Sequence, residues 1–380
     1  MDSGQPALDE PTVALDGFLD GLTRLGGVAS AVEALVVAAP PGVEAHPLYR
    51  RASGFRVGGE KLGPGCRFDA ASLTKPWMAT LALVLDARGV LALDAELGEI
   101  LEPEVFREGD RTSGVSLEDL LRHRSGMAAW APLGLLAARS GFVLSDRDSL
   151  LRLLLSESCR ERTVESESPP SDARYSDLGY ILWGLAAERA TGRPLAELLD
   201  ELVCAPLGVA PLGALAARPD RLPDPVECRL DNGKEVELAA AEGITLSPQR
   251  TFHLGVPQDG NARSIGYLTA HAGLFVTADE MFALGREWLR PSRLLSPEAR
   301  EGALAGGGGY GLGWARWSAA GSSGPALPPA SFGHTGFTGG SLWIDPERDR
   351  LLVLMAHRLS SRIDWNPFRR EFHRLASALA

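Results

Sequence analysis

The chain has only four cysteines among its 380 residues, Cys66, Cys159, Cys204 and Cys228, and no two of them form a Cys-x-x-Cys pair. That scatter suits a reduced, cytoplasmic protein, with Cys66 read as a small buried hydrophobe. Histidine is also sparse. The 7 histidines form no His-Glu-x-x-His motif and no His/Cys cluster, so no catalytic metal is expected. No apolar run is long enough to span a bilayer. Met1-Asp2-Ser3-Gly4-Gln5-Pro6 has no basic region followed by an apolar core, so no secretory leader is expected. Basic charge is in deficit, 38 Lys and Arg against 49 Asp and Glu, for a net charge of -11. Nucleic acid and anionic membranes are therefore not expected partners. There is no phosphate-binding loop, and Gly306 to Gly309 lacks the strand–turn–helix setting of a dinucleotide fingerprint. No Gly-x-Ser-x-Gly elbow precedes Asp and His signals, which disfavours an α/β-hydrolase. No cofactor is implied.

A hydrophobic fraction of 45% and a charged fraction of 23% fit a globular protein. Residues 1–15 are polar and read as a loose lead-in, followed by a helix from Asp16 to Leu25. Ala29 to Ala39 and Pro47 to Val57 read as strands around the turn Pro40-Pro41-Gly42. An apolar helix is expected from Ser72, as N-cap, to Arg88, with Gly89 closing it. Residues 92–250 are mostly helical in pattern. Ser116 caps one helix there, and another runs from Asp177 to Ala190 and ends at Gly192. Residues 156–174, rich in Ser, Glu and Arg, read as an exposed loop. Strand character returns at Tyr310 to Trp314, Ser331 to Asp345 and Arg350 to His357, and Phe368 to Leu379 is a terminal helix. The expected fold is α+β, one domain over 16–380. Its antiparallel sheet is assembled from both ends (16–91 and 251–380) and flanked by helices, with a helical lobe (92–250) inserted. A cleft between the lobes is the natural site.

Chemistry concentrates in three fragments. Ser72-Leu73-Thr74-Lys75 sets a hydroxyl and an amine one helical turn apart on the same face. Lysine can deprotonate serine if burial lowers its pKa, and the neighbours Pro76, Trp77 and Met78 are apolar. By itself the tetrapeptide arises often by chance. Tyr175 stands at the junction of the polar loop and a helix. It is either a packing residue or a proton carrier, and the second role requires its pKa of about 10 to fall, as a nearby ammonium would make it do. His334-Thr335-Gly336 lies on a strand, followed by Phe337-Thr338-Gly339-Gly340. Glycines there suggest close approach of another backbone or a ligand.

The order of these fragments resembles the serine β-lactamase and penicillin-binding-protein-like superfamily, nearest its class C β-lactamase-related branch. That branch also holds carboxylesterases, D-aminopeptidases and DD-peptidases. Further phrases carry the resemblance: Phe68-Asp69-Ala70-Ala71 before Ser72, Leu120-Leu121-Arg122-His123-Arg124-Ser125-Gly126, Tyr175-Ser176-Asp177-Leu178-Gly179-Tyr180, His271-Ala272-Gly273-Leu274-Phe275 and Tyr310-Gly311-Leu312-Gly313-Trp314. The resemblance spans about residues 28 to 360. It implies Ser72 as nucleophile, with Lys75 and Tyr175 sharing the general-base role and Tyr175 helping to protonate the leaving group. It implies an oxyanion hole from the backbone N–H groups of Ser72 and Phe337, and a substrate cleft lined by Asp177, His334, Thr335 and Gly336. Trp130 is either a cleft wall or a packed aromatic. His271 and Gly273 read as structural.

Two departures stand out. Asp177 replaces the Asn, and His334 the Lys, of class C β-lactamases. The site becomes more negative by up to two charges, which favours a small neutral ester or amide over an anionic β-lactam. Asp177 also works against Lys75 as a base by favouring its charged form. The expected function is serine hydrolysis through an acyl-enzyme. A D-amino-acid amidase or peptidase, or a weak β-lactamase, is the alternative, and a non-catalytic ligand- or partner-binding relative is the reading from another class. Oligomeric state is left open.

Overall fold

The computed structural model describes residues 9–56, 59–106, 110–160, 173–241, 243–249, 254–266, 268–306 and 308–380. Its centre is a six-stranded antiparallel sheet built from both ends of the chain. The strands are β1 (Ala29–Ala38), β2 (His46–Gly54), β5 (Ala315–Arg316), β6 (Phe332–Thr335), β7 (Gly339–Asp345) and β8 (Arg350–Arg358), in the order β2-β1-β8-β7-β6-β5. A two-stranded piece pairs β3 (Phe68–Asp69) with β4 (Phe275–Val276).

The two strand faces feed two cores, because side chains alternate along a strand. Val32, Ala34 and Val36 of β1, with Leu352, Leu354 and Ala356 of β8, pack against α1 (Glu10–Thr23) and the C-terminal helix (Asn366–Ala376). Helix α1 presents Leu15, Leu19 and Leu22 to that face. The opposite faces carry Ala31, Leu35 and Val37, with Leu351, Val353 and Met355. They join the large core beneath α2 (Thr74–Ala87) and the helical region. Helix α2 is buried without interruption from Thr74 to Leu85, as expected of a helix apolar on every side.

The helical region contains α3 (Leu117–Leu121), capped by Ser116, and α4 (Asp177–Thr191), capped by Ser176 and ended by Gly192 at φ 66°. No helix among the described residues is long and apolar enough to cross a membrane. The four cysteines are free and buried.

Four local expectations need correction. Helix α1 begins at Glu10, inside the supposed lead-in, because Asp9 accepts the Thr12 N–H and a proline fills the first turn. Ser72 is no N-cap: it sits in a 3-10 turn, Ala71–Leu73, that runs into α2 without a side-chain cap. Tyr310 to Trp314 forms a turn with one isolated bridge, Tyr310 to Ala315, and strand geometry starts only at Ala315. The stretch Ser331 to Asp345 is two strands, β6 and β7, joined at Gly336-Phe337-Thr338. Most of the loop expected at 156–174 lies outside the described residues.

Candidate active site

The turn that carries Ser72 is held from three directions by Asp69. One carboxylate oxygen of Asp69 accepts the Ala71 N–H at 2.9 Å, and the other accepts the Gln258 N–H at 2.7 Å. Its carbonyl accepts the Thr338 hydroxyl at 2.9 Å, tying the serine turn to the β6–β7 turn. Burial pushes the Asp69 carboxyl up to about 6. Ala71 has φ 46°, a left-handed conformation rare for a residue with a Cβ. This strained residue immediately precedes Ser72.

Lys75 projects from the first turn of α2 and is fully buried. Its Nζ lies 3.0 Å from Ser72 Oγ, 2.6 Å from Asp177 Oδ1 and 3.1 Å from the His271 carbonyl. These three partners match the three N–H bonds of an ammonium. Burial lowers the Lys75 pKa, while Asp177 acts to raise it, and burial prevails. The anticipated opposition from Asp177 is present but is the weaker influence.

Tyr175 donates its phenol O–H to Ser72 Oγ at 2.7 Å, and its ring lies beside the Lys75 ammonium, 4.9 Å from Nζ to centroid. The fall in pKa that a proton carrier needs is not present in the resting site. Burial, with the Asp177 charge, carries it well above the ordinary tyrosine value. The resting phenol therefore keeps its proton.

A cavity of about 690 Å³ opens over this group. Ser72, Trp130, Tyr175, Asp177, His334, Thr335, Gly336 and Phe337 all line it, and Lys75 lies beneath its floor. Trp130 is thus a wall of the cleft. Strand β5 pairs only with Phe332 and Gly333, so His334 and Thr335 extend beyond it along the cavity. His334 Nδ1 lies 2.9 Å from the Thr335 carbonyl, which makes it the protonated nitrogen of the neutral ring. Burial and Lys75 depress the His334 pKa to about 3, so the side chain is uncharged at neutral pH.

Gly336 is required by close approach. A Cβ there would lie 2.6 Å from the Ala70 carbonyl oxygen. The contact brings the residue before Phe337 against the serine turn. Neither the Ser72 nor the Phe337 N–H has a hydrogen-bond partner among the described residues, which leaves both available to an oxyanion.

Sequence reasoning missed several contributors. His271, read as structural, supplies a carbonyl to Lys75, and its ring Nε2 lies 3.0 Å from Asp259 Oδ1. Arg369 is buried and donates to the Gly336 and Gly340 carbonyls, at 2.7 and 3.1 Å, bracing the β6–β7 turn from behind. Arg358 stacks over the Phe337 ring at 4.4 Å. A lone arginine near the C-terminus carries no motif that would have announced either role.

Comparison with known proteins bears on the family and the fold. The family model described as Beta-lactamase matches residues 45–373. Esterase EstB of Burkholderia gladioli is 33% identical over 288 residues, 70% of this chain and 70% of the relative. An N-acetylmuramyl-L-alanine amidase of Bacillus subtilis is 26% identical over 323 residues, 77% of this chain and 68% of the relative. Among solved structures, EstCE1, a hydrolase with promiscuous acyltransferase activity, superposes with a TM-score of 0.69 at 20% identity, covering 96% of this chain and 98% of that one. A penicillin-binding protein homologue from Caulobacter crescentus gives 0.67 at 19% identity, with 99% of both chains covered. These two show a shared fold. With the family model spanning most of its length, this chain belongs to the beta-lactamase family of serine hydrolases.

Proposed function

We propose that the protein hydrolyses small uncharged esters through an acyl-enzyme on Ser72. The observation that carries this reading is the position of Ser72 Oγ, hydrogen-bonded to both buried Lys75 and Tyr175 at the floor of one cavity. As Oγ attacks the carbonyl, Lys75 in its neutral form takes the serine proton. The substrate oxygen moves into the N–H pair of Ser72 and Phe337. The new Lys75 ammonium supplies the lowering of the phenol pKa that the resting site lacks, and Tyr175 gives its proton to the departing alkoxide, leaving a phenolate beside that ammonium. In deacylation the phenolate takes a proton from water, the hydroxide adds to the acyl carbonyl, and Lys75 returns its proton to Ser72 Oγ as the acid departs. Asp177 and the His271 carbonyl stabilise the ammonium between the two half-reactions.

Charge supports an uncharged substrate. His334 is neutral, and Asp177 faces the reacting centre from the Lys75 side. The cavity volume suits a small molecule. The free, buried state of all four cysteines supports a reducing, cytoplasmic setting.

A second reading rests on the far wall. Arg358 and Arg369 both line the cavity, although the unpartnered Nε of each is buried. Their positive charge favours a substrate carboxylate, as in a peptide, an amino-acid amide or a β-lactam. The amidase relative is consistent with that alternative. A direct ranking of kcat/KM separates the two readings, using nitrophenyl butyrate, a D-alanyl nitroanilide and a chromogenic cephalosporin. The ester is expected to be turned over fastest. Faster turnover of either of the others would overturn the ester reading.

A further inference from the structure

We infer that His123 is the positioning residue for Tyr175, acting through a main-chain bracket that closes on both sides of the tyrosine. The inference rests on the proposed role of Tyr175. The His123 carbonyl accepts the Arg174 N–H at 2.8 Å, and its Nδ1 accepts the Ser176 N–H at 3.1 Å. One residue thus holds the backbone immediately before and immediately after Tyr175. Its ring also packs on the tyrosine ring, with centroids 4.5 Å apart and planes 36° apart. Tyr310 also meets the imidazole edge-on, at 5.0 Å.

The backbone of His123 is unusual in a way that serves this bracket. It has φ 60°, in the left-handed region, directly after helix α3. Helices commonly stop in this conformation on a glycine, which has no Cβ to strain. Here the stop carries an imidazole that is 2% exposed. The left-handed turn places carbonyl and ring so that both face the same extended segment. A glycine would end the helix equally well and would lose the Nδ1 acceptor.

The chemistry of the ring fits. Nδ1 accepts an amide proton, so the ring proton belongs on Nε2 and the imidazole is neutral. Burial, with the nearby Lys75 charge, holds the His123 pKa well below the ordinary histidine value. The ring therefore keeps its acceptor at neutral pH. The adjacent segment adds two further ties: the Ala128 carbonyl accepts the Ser176 hydroxyl at 2.7 Å, and the Ala129 carbonyl accepts the Asp177 N–H at 2.9 Å. These fix Ser176 and Asp177. Among these contacts, only those of His123 reach both neighbours of Tyr175.

The test compares His123→Gly, which keeps the backbone angle and removes the ring, with His123→Asn. Asparagine tolerates the left-handed region and offers Oδ1 where Nδ1 stood. Turnover of a nitrophenyl ester is expressed per Ser72 labelled by a fluorophosphonate, so loss of folded protein does not register as loss of rate. Expected are a kcat per labelled site lowered tenfold or more in the glycine variant, KM within threefold, and recovery to within about fivefold of wild type by asparagine. A misplacement near 1 Å costs about 100-fold in rate, which sets this scale. In a Tyr175→Phe background, His123→Gly should lower kcat no further. His123→Ala takes the place of the glycine variant should that fail to fold. Unchanged kcat per labelled site, equal losses in the glycine and asparagine variants, or an undiminished effect in the Tyr175→Phe background would each overturn the inference. Wild-type protein that takes no label at Ser72 would instead overturn the proposed function.

Discussion

Gly336→Ala perturbs the turn that carries the proposed oxyanion donor Phe337 while removing no charged group. The added Cβ would sit 2.6 Å from the Ala70 carbonyl oxygen, and both partners are anchored to backbone. A relaxed carbon–oxygen contact is about 3.3 Å, so the two backbones must part by roughly 0.7 Å. The turn has little freedom to yield. Gly336 is held by its N–H on the Gly340 carbonyl at 2.8 Å and by Arg369 on its own carbonyl at 2.7 Å, while Thr338 is tied to Asp69. Displacement therefore falls on the neighbouring Phe337 N–H, on the Ser72 turn, or on both. A misplacement near 1 Å costs about 100-fold, and outright loss of one oxyanion donor costs about 100- to 1000-fold. The expected result is a fall in kcat of about 100-fold, or about 2.7 kcal/mol in the barrier, with a smaller change in KM. Pre-steady-state turnover of a nitrophenyl ester gives the acylation rate, and circular dichroism gives the folded fraction. A folded variant with kcat within threefold of wild type would refute the placement of Phe337 as an oxyanion donor. Glycine is not needed here for its backbone angle, because Gly336 is absent from the positive-φ positions. The effect is steric alone.

Further outcomes follow from the charges. Asp177 raises the Lys75 pKa against a larger lowering by burial, so Asp177→Asn should move the acidic limb of kcat/KM to lower pH. A limb that stays in place, or moves to higher pH, would contradict the pairing. His357 accepts the Asp69 N–H through Nε2 at 3.0 Å, and burial depresses its pKa to about 4. The unfolded chain then binds the proton first as pH falls from 6.5, and this imidazole withdraws about 2–3 kcal/mol of stability by pH 4.5. Urea unfolding at pH 7 and 4.5 should show a smaller loss for His357→Gln than for wild type; equal losses would refute it. Arg67 and Glu280 form a buried two-pronged pair at 2.7 Å, and Arg67→Ala should cost about 3–5 kcal/mol by leaving the carboxylate alone. A loss below about 1 kcal/mol in urea unfolding would place that pair in contact with solvent.

Much of the site was legible because its signals are local. Ser72 and Lys75 are one turn apart, a spacing that lets Nζ reach Oγ, at 3.0 Å. The strands of β1 and β8 are near-continuous apolar runs, since both of their faces are covered, and they stood out from the polar turns around them. Long-range contacts were not legible. Nothing in Phe68-Asp69-Ala70-Ala71 marks Ala71 as left-handed, because that strain is imposed by the carboxylate of Asp69 and by packing. Tyr310-Gly-Leu-Gly-Trp looked like a strand by composition. Its Gly313, at φ 77°, instead turns the chain against α2, where a Cβ would meet that of Ala79 at 2.3 Å. The rise in the Tyr175 pKa was not legible, because the sequence does not show the burial that causes it. His123 sat in a recognised phrase, yet its role depends on a segment more than 50 residues later in the chain.

The central claim is that Ser72 forms the acyl-enzyme. Intact-mass and peptide-level mass spectrometry after treatment with a fluorophosphonate tests it most directly. The account predicts one adduct per chain, located on the peptide containing Ser72, and none on a folded Ser72→Ala variant. An unlabelled wild type that is folded, or equal labelling of the Ser72→Ala variant, would contradict it.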